Sequence, residues 1–214
     1  PAEPSTVGWI DTGSSAGEVV VADNHAFIVD DLDHVQVYEV SDPRAPVWVG
    51  EYISHAVASL AVLDKELYIG TESTGGWWSP PTPSLLEVVD VSNPAIPYRV
   101  ANYVTPRSVW DVAVSGTDAY LAVDTAGLQV VDVSIPSKVQ RLGVAETGRT
   151  RGPETGDGRD IAVSGDYAYF GNSGPDEQGL PQTGLAVVDI SNPTHPERVA
   201  FISTQGDVNR VTLS

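Results

Sequence analysis

Hydrophobic positions in this chain come in short bursts, never in long runs. Some bursts alternate, as in Val47, Val49, Glu51 and Ile53 against Trp48, Gly50 and Tyr52. A period of two predicts a strand with one covered face. Others are apolar almost throughout, as in Leu128-Gln129-Val130-Val131-Asp132-Val133, which predicts a strand packed on both faces. Pairs of bursts are separated by Asp23-Asn24, Asp64-Lys65, Ser115-Gly116 or Ser164-Gly165, the chemistry of tight hairpin turns. No stretch carries a helical period, and none approaches the ~18 apolar residues of a membrane-crossing helix.

The bursts repeat as a set. One phrase ends in proline four times: Glu39-Val40-Ser41-Asp42-Pro43, Asp90-Val91-Ser92-Asn93-Pro94, Asp132-Val133-Ser134-Ile135-Pro136 and Asp189-Ile190-Ser191-Asn192-Pro193. A hairpin phrase lies upstream of each, for example Ala113-Val114-Ser115-Gly116-Thr117-Asp118-Ala119-Tyr120. Each unit therefore has four short strands, a to d in chain order, with the Ser/Asx-Pro phrase stopping strand c because proline lacks a ladder donor. Such a unit is apolar on both sides and is covered only by stacking on its neighbours, which predicts an all-β propeller of tandem four-stranded antiparallel blades.

The predicted organisation is one propeller domain over 1–214. A lone outer strand lies at 7–12, blades at about 17–55, 58–105, 110–145 and 159–204, and the first strand of a further blade at 209–214. These unmatched ends lead to the expectation that the chain is a truncated part of a ring.

The repeated phrases carry a resemblance. Leu86-Glu87-Val88-Val89-Asp90-Val91-Ser92-Asn93-Pro94, Leu128-Gln129-Val130-Val131-Asp132-Val133-Ser134 and Leu185-Ala186-Val187-Val188-Asp189-Ile190-Ser191-Asn192-Pro193 resemble the central phrase of the LVIVD-repeat β-propellers. Asp111-Val112-Ala113-Val114-Ser115-Gly116 and Asp160-Ile161-Ala162-Val163-Ser164-Gly165 are similar to that family's first strand. The resemblance covers nearly the whole chain. It implies a bacterial or archaeal protein, often secreted or surface-attached, and it brings no catalytic motif. The first unit departs from the pattern, with Tyr38-Glu39 in place of Val-Asp.

Charge narrows the function classes. The 29 acidic and 11 basic residues leave a net charge of -18, which argues against nucleic-acid partners and anionic membrane surfaces, since both need a positive face. Direct membrane insertion is not expected either. Cysteine is absent, which removes disulfides, thiolate catalysis and Cys-ligated zinc. An extracellular, periplasmic or cell-surface location is the expectation, with the acidic surface also serving solubility.

Long insertions fall between strands b and c or between d and a, on one face of the predicted ring, where binding loops usually sit. Trp77 and Trp78 lie side by side in one insertion and could anchor a protein or stack on a sugar, or fold back on a blade. Arg107, Arg149, Arg151, Arg159 and Arg210 cluster in the d–a connections. They could hold an anion, or pair with Glu18, Asp111 and Asp160. Trp110 stands at the same mouth. The turn with Asp30, Asp31, Asp33 and His34 could hold Ca²⁺ through hard oxygens, and His55 could join His34 in a metal site, although a solvated acidic turn serves as well. No cofactor is otherwise implied. His25 and His195 fall on the opposite face.

Three functions remain in play. The first is a non-catalytic binding or assembly module, with a protein or carbohydrate partner or self-assembly. The second is a metal-dependent hydrolase or lyase at the channel mouth. The third is a structural subunit of a surface layer or filament, with Trp9 and Trp48 facing a neighbour.

Overall fold

The computed structural model of the chain describes residues 3, 5–74, 82–145, 160–175, 181–206 and 208–213, with the backbone alone at 125, 172–175, 181 and 182. Among the described residues sixteen strands form four sheets of four, each an antiparallel meander. The first sheet holds β1 (Ala16–Ala22), β2 (His25–Asp30), β3 (His34–Glu39) and β4 (Val47–Ile53). The second holds β5 (Val57–Leu63), β6 (Glu66–Thr71), β7 (Ser84–Asp90) and β8 (Tyr98–Thr105). The third holds β9 (Val109–Ser115), β10 (Asp118–Val123), β11 (Gly127–Asp132) and β12 (Gln140–Ala145), with one 3-10 turn at Asp124–Ala126. The fourth holds β13 (Ile161–Ser164), β14 (Tyr167–Pro175), β15 (Pro181–Asp189) and β16 (Glu197–Ser203). The first strands of successive sheets, β1, β5, β9 and β13, lie side by side. The predicted propeller blades are therefore present, with strand a innermost.

Local chemistry fixes each blade. The a–b turns use left-handed backbone at Asn24, Asp64, Gly116 and Gly165, which Gly, Asn and Asp tolerate best. The acid four residues before each proline closes the c–d turn: Ser41, Ser92, Ser134 and Ser191 donate their N–H groups to Glu39, Asp90, Asp132 and Asp189. Side-chain hydrogen bonds at those serines, then the backbone ones, hold Asp90, Asp132 and Asp189 below the usual carboxylate range. One residue past strand c, Val40, Val91, Val133 and Ile190 donate back to the a–b turn of the same blade.

The core lies between blades. Phe27, Val35 and Val37 of blade 1 pack on Leu60, Leu67, Ile69 and Val89 of blade 2. Tyr68, Leu86 and Val88 pack on Val112, Leu121 and Val131 of blade 3. Tyr120, Leu128 and Val130 pack on Ile161, Phe170 and Val188 of blade 4. Burying each such side chain stabilises the stack by about 1.5–3 kcal/mol.

Two features depart from the sequence pattern. The alternation in strand d is broken in every blade by a register shift, between Val37/Tyr38, Val88/Val89, Val130/Val131 and Val187/Val188 of the partner strand. One extra residue in strand d (Val49 in blade 1) produces the bulge, which bends the strand. The small residue that follows lets the next blade's proline turn approach: a Cβ on Gly50 would lie 2.6 Å from the Pro94 carbonyl, and one on Gly143 2.5 Å from that of Pro193. Second, residues 7–12 and 208–213 form no strand, in contrast to the expected lone strands, because neither has a ladder partner beside it. Residues 7–12 nevertheless take the place of a strand d. Gly8 abuts Pro43 as Gly50 abuts Pro94, Ile10 packs on Ala26, Ile28 and Tyr38, and Gln36 donates to the Thr12 carbonyl.

Candidate functional site

The inner strands converge on the propeller axis, and one equivalent residue at or near the start of each makes a recurring contact. In register these residues are Glu18, Ser59, Asp111 and Asp160, followed by Arg210 in the terminal segment. Glu18 accepts from the Leu60 N–H at 2.8 Å, Ser59 from the Val112 N–H at 3.1 Å, and Asp111 from the Ile161 N–H at 2.6 Å. Asp160 accepts from the Val211 N–H. Ser59 also donates its hydroxyl to Asp111 at 2.6 Å. The result is a ladder in which each blade holds the first amide of the next.

This ladder sets the electrostatics of the channel. Burial, opposed by the Leu60 hydrogen bond, pushes Glu18 up to about 7; Asp160 acts in the same direction and Arg210 against it. Burial and then a hydrogen bond with Asp160 push Asp111 up to about 7, against Ser59 and the Ile161 amide. Of the arginines expected to pair with these acids, Arg149, Arg151 and Arg159 lie outside the described residues, and Arg210 acts on Glu18. Each of these carboxylates accepts from a backbone amide, because blade stacking brings an inner-strand N–H directly onto it.

The acidic b–c turn of blade 1 is organised for structure. Asp30 is buried and accepts from the N–H groups of Leu32 and His34 and from Gln36 Nε2, all within 3.0 Å. Burial works to raise its pKa, but the Gln36 and backbone hydrogen bonds prevail and leave it lowered. Asp33, in left-handed backbone, accepts from the Val57 N–H of blade 2 at 2.9 Å. His34 Nδ1 lies 3.8 Å from both Asp30 and Glu51. Asp31 is exposed and His55 half-buried. Among the described residues no three His, Cys, Asp or Glu side chains are grouped to hold a metal. Beside this turn runs a cleft of about 410 Å³ lined by Ser15–Glu18, Val29–Asp31, Asp33, Val57 and Ala58.

Trp110 is half-buried in β9, next to Asp111. Trp77, Trp78, Arg149, Arg151 and Arg159 lie outside the described residues. Arg107 is exposed in the turn before β9.

Sequence reasoning passed over one buried polar position. The second residue of the repeated Leu-x-Val-Val phrase is polar in two blades, Glu87 and Gln129, and Gln36 holds the corresponding place in blade 1. Glu87 is 1% exposed and accepts from Ser54 Oγ at 2.7 Å, Arg99 Nη1 at 2.9 Å and Tyr52 Oη at 3.2 Å. Gln129 accepts from Tyr103 Oη at 3.1 Å. Tyr52 and Tyr103 occupy the same place in strand d of the preceding blade. At the third interface both places hold alanine, Ala145 and Ala186. The pairing is visible in the sequence once the repeats are aligned with the bulge counted.

The comparisons agree with this architecture. No match was found among curated proteins. The solved structures that resemble the chain include the computationally designed Ika8 protein, at TM-score 0.68 and 13% identity over 94% of this chain and 53% of that one. A functionally unknown protein from Desulfotomaculum acetoxidans DSM 771 matches at TM-score 0.67 and 12% identity, over 95% of this chain and 62% of that one. The designed Ika4 protein matches at TM-score 0.51 and 12% identity, over 74% and 80%. The chain thus spans about half of Ika8 and under two-thirds of the Desulfotomaculum protein, and at these identities the likeness speaks for fold alone. The LVIVD repeat matches residues 13–54, 84–105, 106–146 and 155–204, segments that take in the four Ser/Asx-Pro turns and the inner strands of blades 1, 3 and 4. With most of its length matched, the chain belongs to the LVIVD-repeat family.

Proposed function

We propose that this propeller is a non-catalytic binding or assembly module that works through the face carrying its b–c and d–a connections. The observation that supports this most is the contrast between the two faces. The c–d connections have one length in all four blades and close on their own serine amides. The b–c and d–a connections range from three residues, as at 31–33 and 54–56, to the long spans between β6 and β7 and between β12 and β13. A rigid scaffold with variable loops on one face is the usual arrangement for recognition. The carboxylates of the channel also favour binding over catalysis, since Glu18, Asp111 and Asp160 already hold backbone amides.

In this reading Trp77 and Trp78 are the anchors for a protein or carbohydrate partner. Arg149, Arg151, Arg159 and Trp110 supply contacts at the rim, and the setting is extracellular, periplasmic or cell-surface. The test is a double substitution, Trp77→Ala with Trp78→Ala, screened against immobilised oligosaccharides and surface proteins of the source organism. Lost binding with an unchanged melting temperature supports the assignment. Binding that persists in the double variant removes it.

Self-assembly through the outer strands has an observation of its own. Trp9 is 77% exposed and Trp48 55% exposed, at the fourth-strand position of successive blades. Exposed tryptophans of this kind mark contact surfaces. A chain that sediments as a monomer at high concentration would dismiss this reading.

A further inference from the structure

The a–b and c–d turns lie on the face opposite the long connections, and a second cleft opens there between blades 1 and 2. Phe27, Val62 and Val91 form its apolar floor. Asp23 and His25 of one a–b turn and Asp64 and Lys65 of the next stand around it. Its volume is about 170 Å³. That is the share of about six waters in the liquid, and it lies below the ~300 Å³ at which pockets for drug-sized ligands begin.

The cleft follows from one difference between blades. Phe27 stands where the other three blades have Tyr68, Tyr120 and Tyr169. Burial, then the charges of Glu66 and Asp64, push the Tyr68 phenol up to about 12. Burial, then Asp118, raises Tyr120. Those hydroxyls therefore lie beside the a–b turn of their own blade. Glu66 and Asp64 correspond to His25 and Asp23 in blade 1, both of which line the cleft. Phenylalanine brings no hydroxyl to the space next to them.

The rim differs at the same seam. Between blades 3 and 4 the corresponding residues are Gly116, Asp118, Gly165 and Asp166, neutral or acidic throughout. Between blades 1 and 2 they are two acids and two bases. Asp23 and Asp64 hold left-handed backbone, with φ of 45° and 54°, a place that glycine takes at less cost and takes at Gly116 and Gly165. The His25 ring is fixed by its Nδ1, 2.9 Å from the Asp23 carbonyl. That oxygen can only accept, so Nδ1 carries the proton and Nε2 has a lone pair to offer. Each base also has one acid of its own sheet nearby, Glu39 for His25 and Asp90 for Lys65.

We propose that this cleft binds a small aliphatic α-amino acid. The ligand's ammonium group lies among the carboxylates of Asp23 and Asp64 and the His25 Nε2 lone pair. Its carboxylate meets the Lys65 ammonium, and its short side chain rests on Phe27, Val62 and Val91. Charges of both signs above an apolar floor match a zwitterion, and neither a simple amine nor a simple acid uses the whole set. The site is on the face opposite the connections proposed above to bind a partner, so each assignment stands or falls without the other.

The experiment titrates L-valine into the ¹⁵N-labelled 214-residue chain and follows the amide shifts of the two turns by NMR. Isobutylamine and isobutyrate serve as probes that lack one charge each. Saturable binding of L-valine at millimolar affinity or tighter is expected, with each half-probe about tenfold or more weaker. Phe27→Tyr installs the hydroxyl that the other three blades carry, and should abolish binding with the melting temperature kept. Lys65→Thr, the residue of blade 3 at this place, should weaken L-valine about tenfold and leave isobutylamine unchanged. No saturation by L-valine up to about 100 mM would overturn the proposal. So would full binding in Phe27→Tyr or Lys65→Thr, or a half-probe that binds as tightly as L-valine.

Discussion

Replacing Glu87 tests how one blade is fastened to the next. Its carboxylate is wholly buried and takes hydrogen bonds from Tyr52 and Ser54 of blade 1 and from Arg99 of its own blade. Glu87→Ala leaves two hydroxyls without their acceptor and the guanidinium without its counter-ion. Breaking a buried charged pair from one side costs about 3–5 kcal/mol. The Arg99 side chain is half exposed and recovers water, which places the expected loss near the lower end, about 3 kcal/mol. Tyr52→Phe removes only the longest of the three bonds and leaves the carboxylate two partners, so about 1–1.5 kcal/mol is expected.

The neighbouring interface supplies the control. Tyr103 and Gln129 form a single neutral hydrogen bond in the same places. Removing both polar groups together, by Tyr103→Phe with Gln129→Leu, leaves no orphan and should cost under about 1 kcal/mol. The assay is urea unfolding at fixed pH, followed in parallel by tryptophan fluorescence and far-ultraviolet circular dichroism, with the midpoint and slope compared between variants. A Glu87→Ala loss below about 1 kcal/mol would refute the reasoning, and so would a double variant at the neutral interface that loses as much as Glu87→Ala.

Two further outcomes follow from the same geometry. Glu18 and Asp111 are both raised to about 7, so the folded chain binds protons that the unfolded chain has released. Their contribution is complete below the unfolded value near 4 and is lost as pH rises towards 7, with a slope of about 1.4 kcal/mol per pH unit for each proton. The urea midpoint should therefore fall between pH 4.5 and pH 7.5, and Asp111→Asn should flatten the fall; a midpoint that rises over this range contradicts the ladder. Gly50→Ala and Gly143→Ala place a Cβ against the neighbouring proline turn and should each cost about 1–3 kcal/mol in the same assay. Gly116→Asn, at an open turn with φ of 61°, should stay within about 1 kcal/mol of the parent.

The blade architecture was legible because each blade repeats the same local chemistry. Asp132-Val133-Ser134 and its three relatives stop strand c, and Gly116 or Asn24 turns strand a into strand b, whatever the rest of the chain does. The contacts between blades were less legible. The bulge at Val49 shifts the phase of strand d by one residue, so an unbroken alternation does not separate the face that meets the next blade from the one that does not. Glu87 was hidden for a related reason: in sequence it is one polar residue in an apolar run, and its three donors come from β4, the residue just past it and β8. The amide contacts of Asp111 and Asp160 were not legible, because sequence shows side chains and not the backbone N–H groups of Ile161 and Val211 that blade stacking brings onto them. The acidic turn at Asp30–His34 suggested a cation for the same reason, and the hydrogen bonds to Asp30 and Asp33 come from backbone and Gln36.

These contacts also explain why the ends of the arc differ from its middle. Each blade boundary joins three elements: an inner carboxylate or hydroxyl on an amide, a small strand-d residue against a proline turn, and an apolar b–c face. At the ends the first two are supplied by short segments, Val211 on Asp160 and Gly8 on Pro43, while among the described residues no paired strands cover the apolar face there. The inner and outer contacts need only one residue in the right place, so a segment without a ladder can make them. The apolar face needs two paired strands, since a single strand would bury backbone groups without partners. That difference matches the exposure of Val19, Val21 and Ile202, whose counterparts in the other blades are covered or half-covered among the described residues.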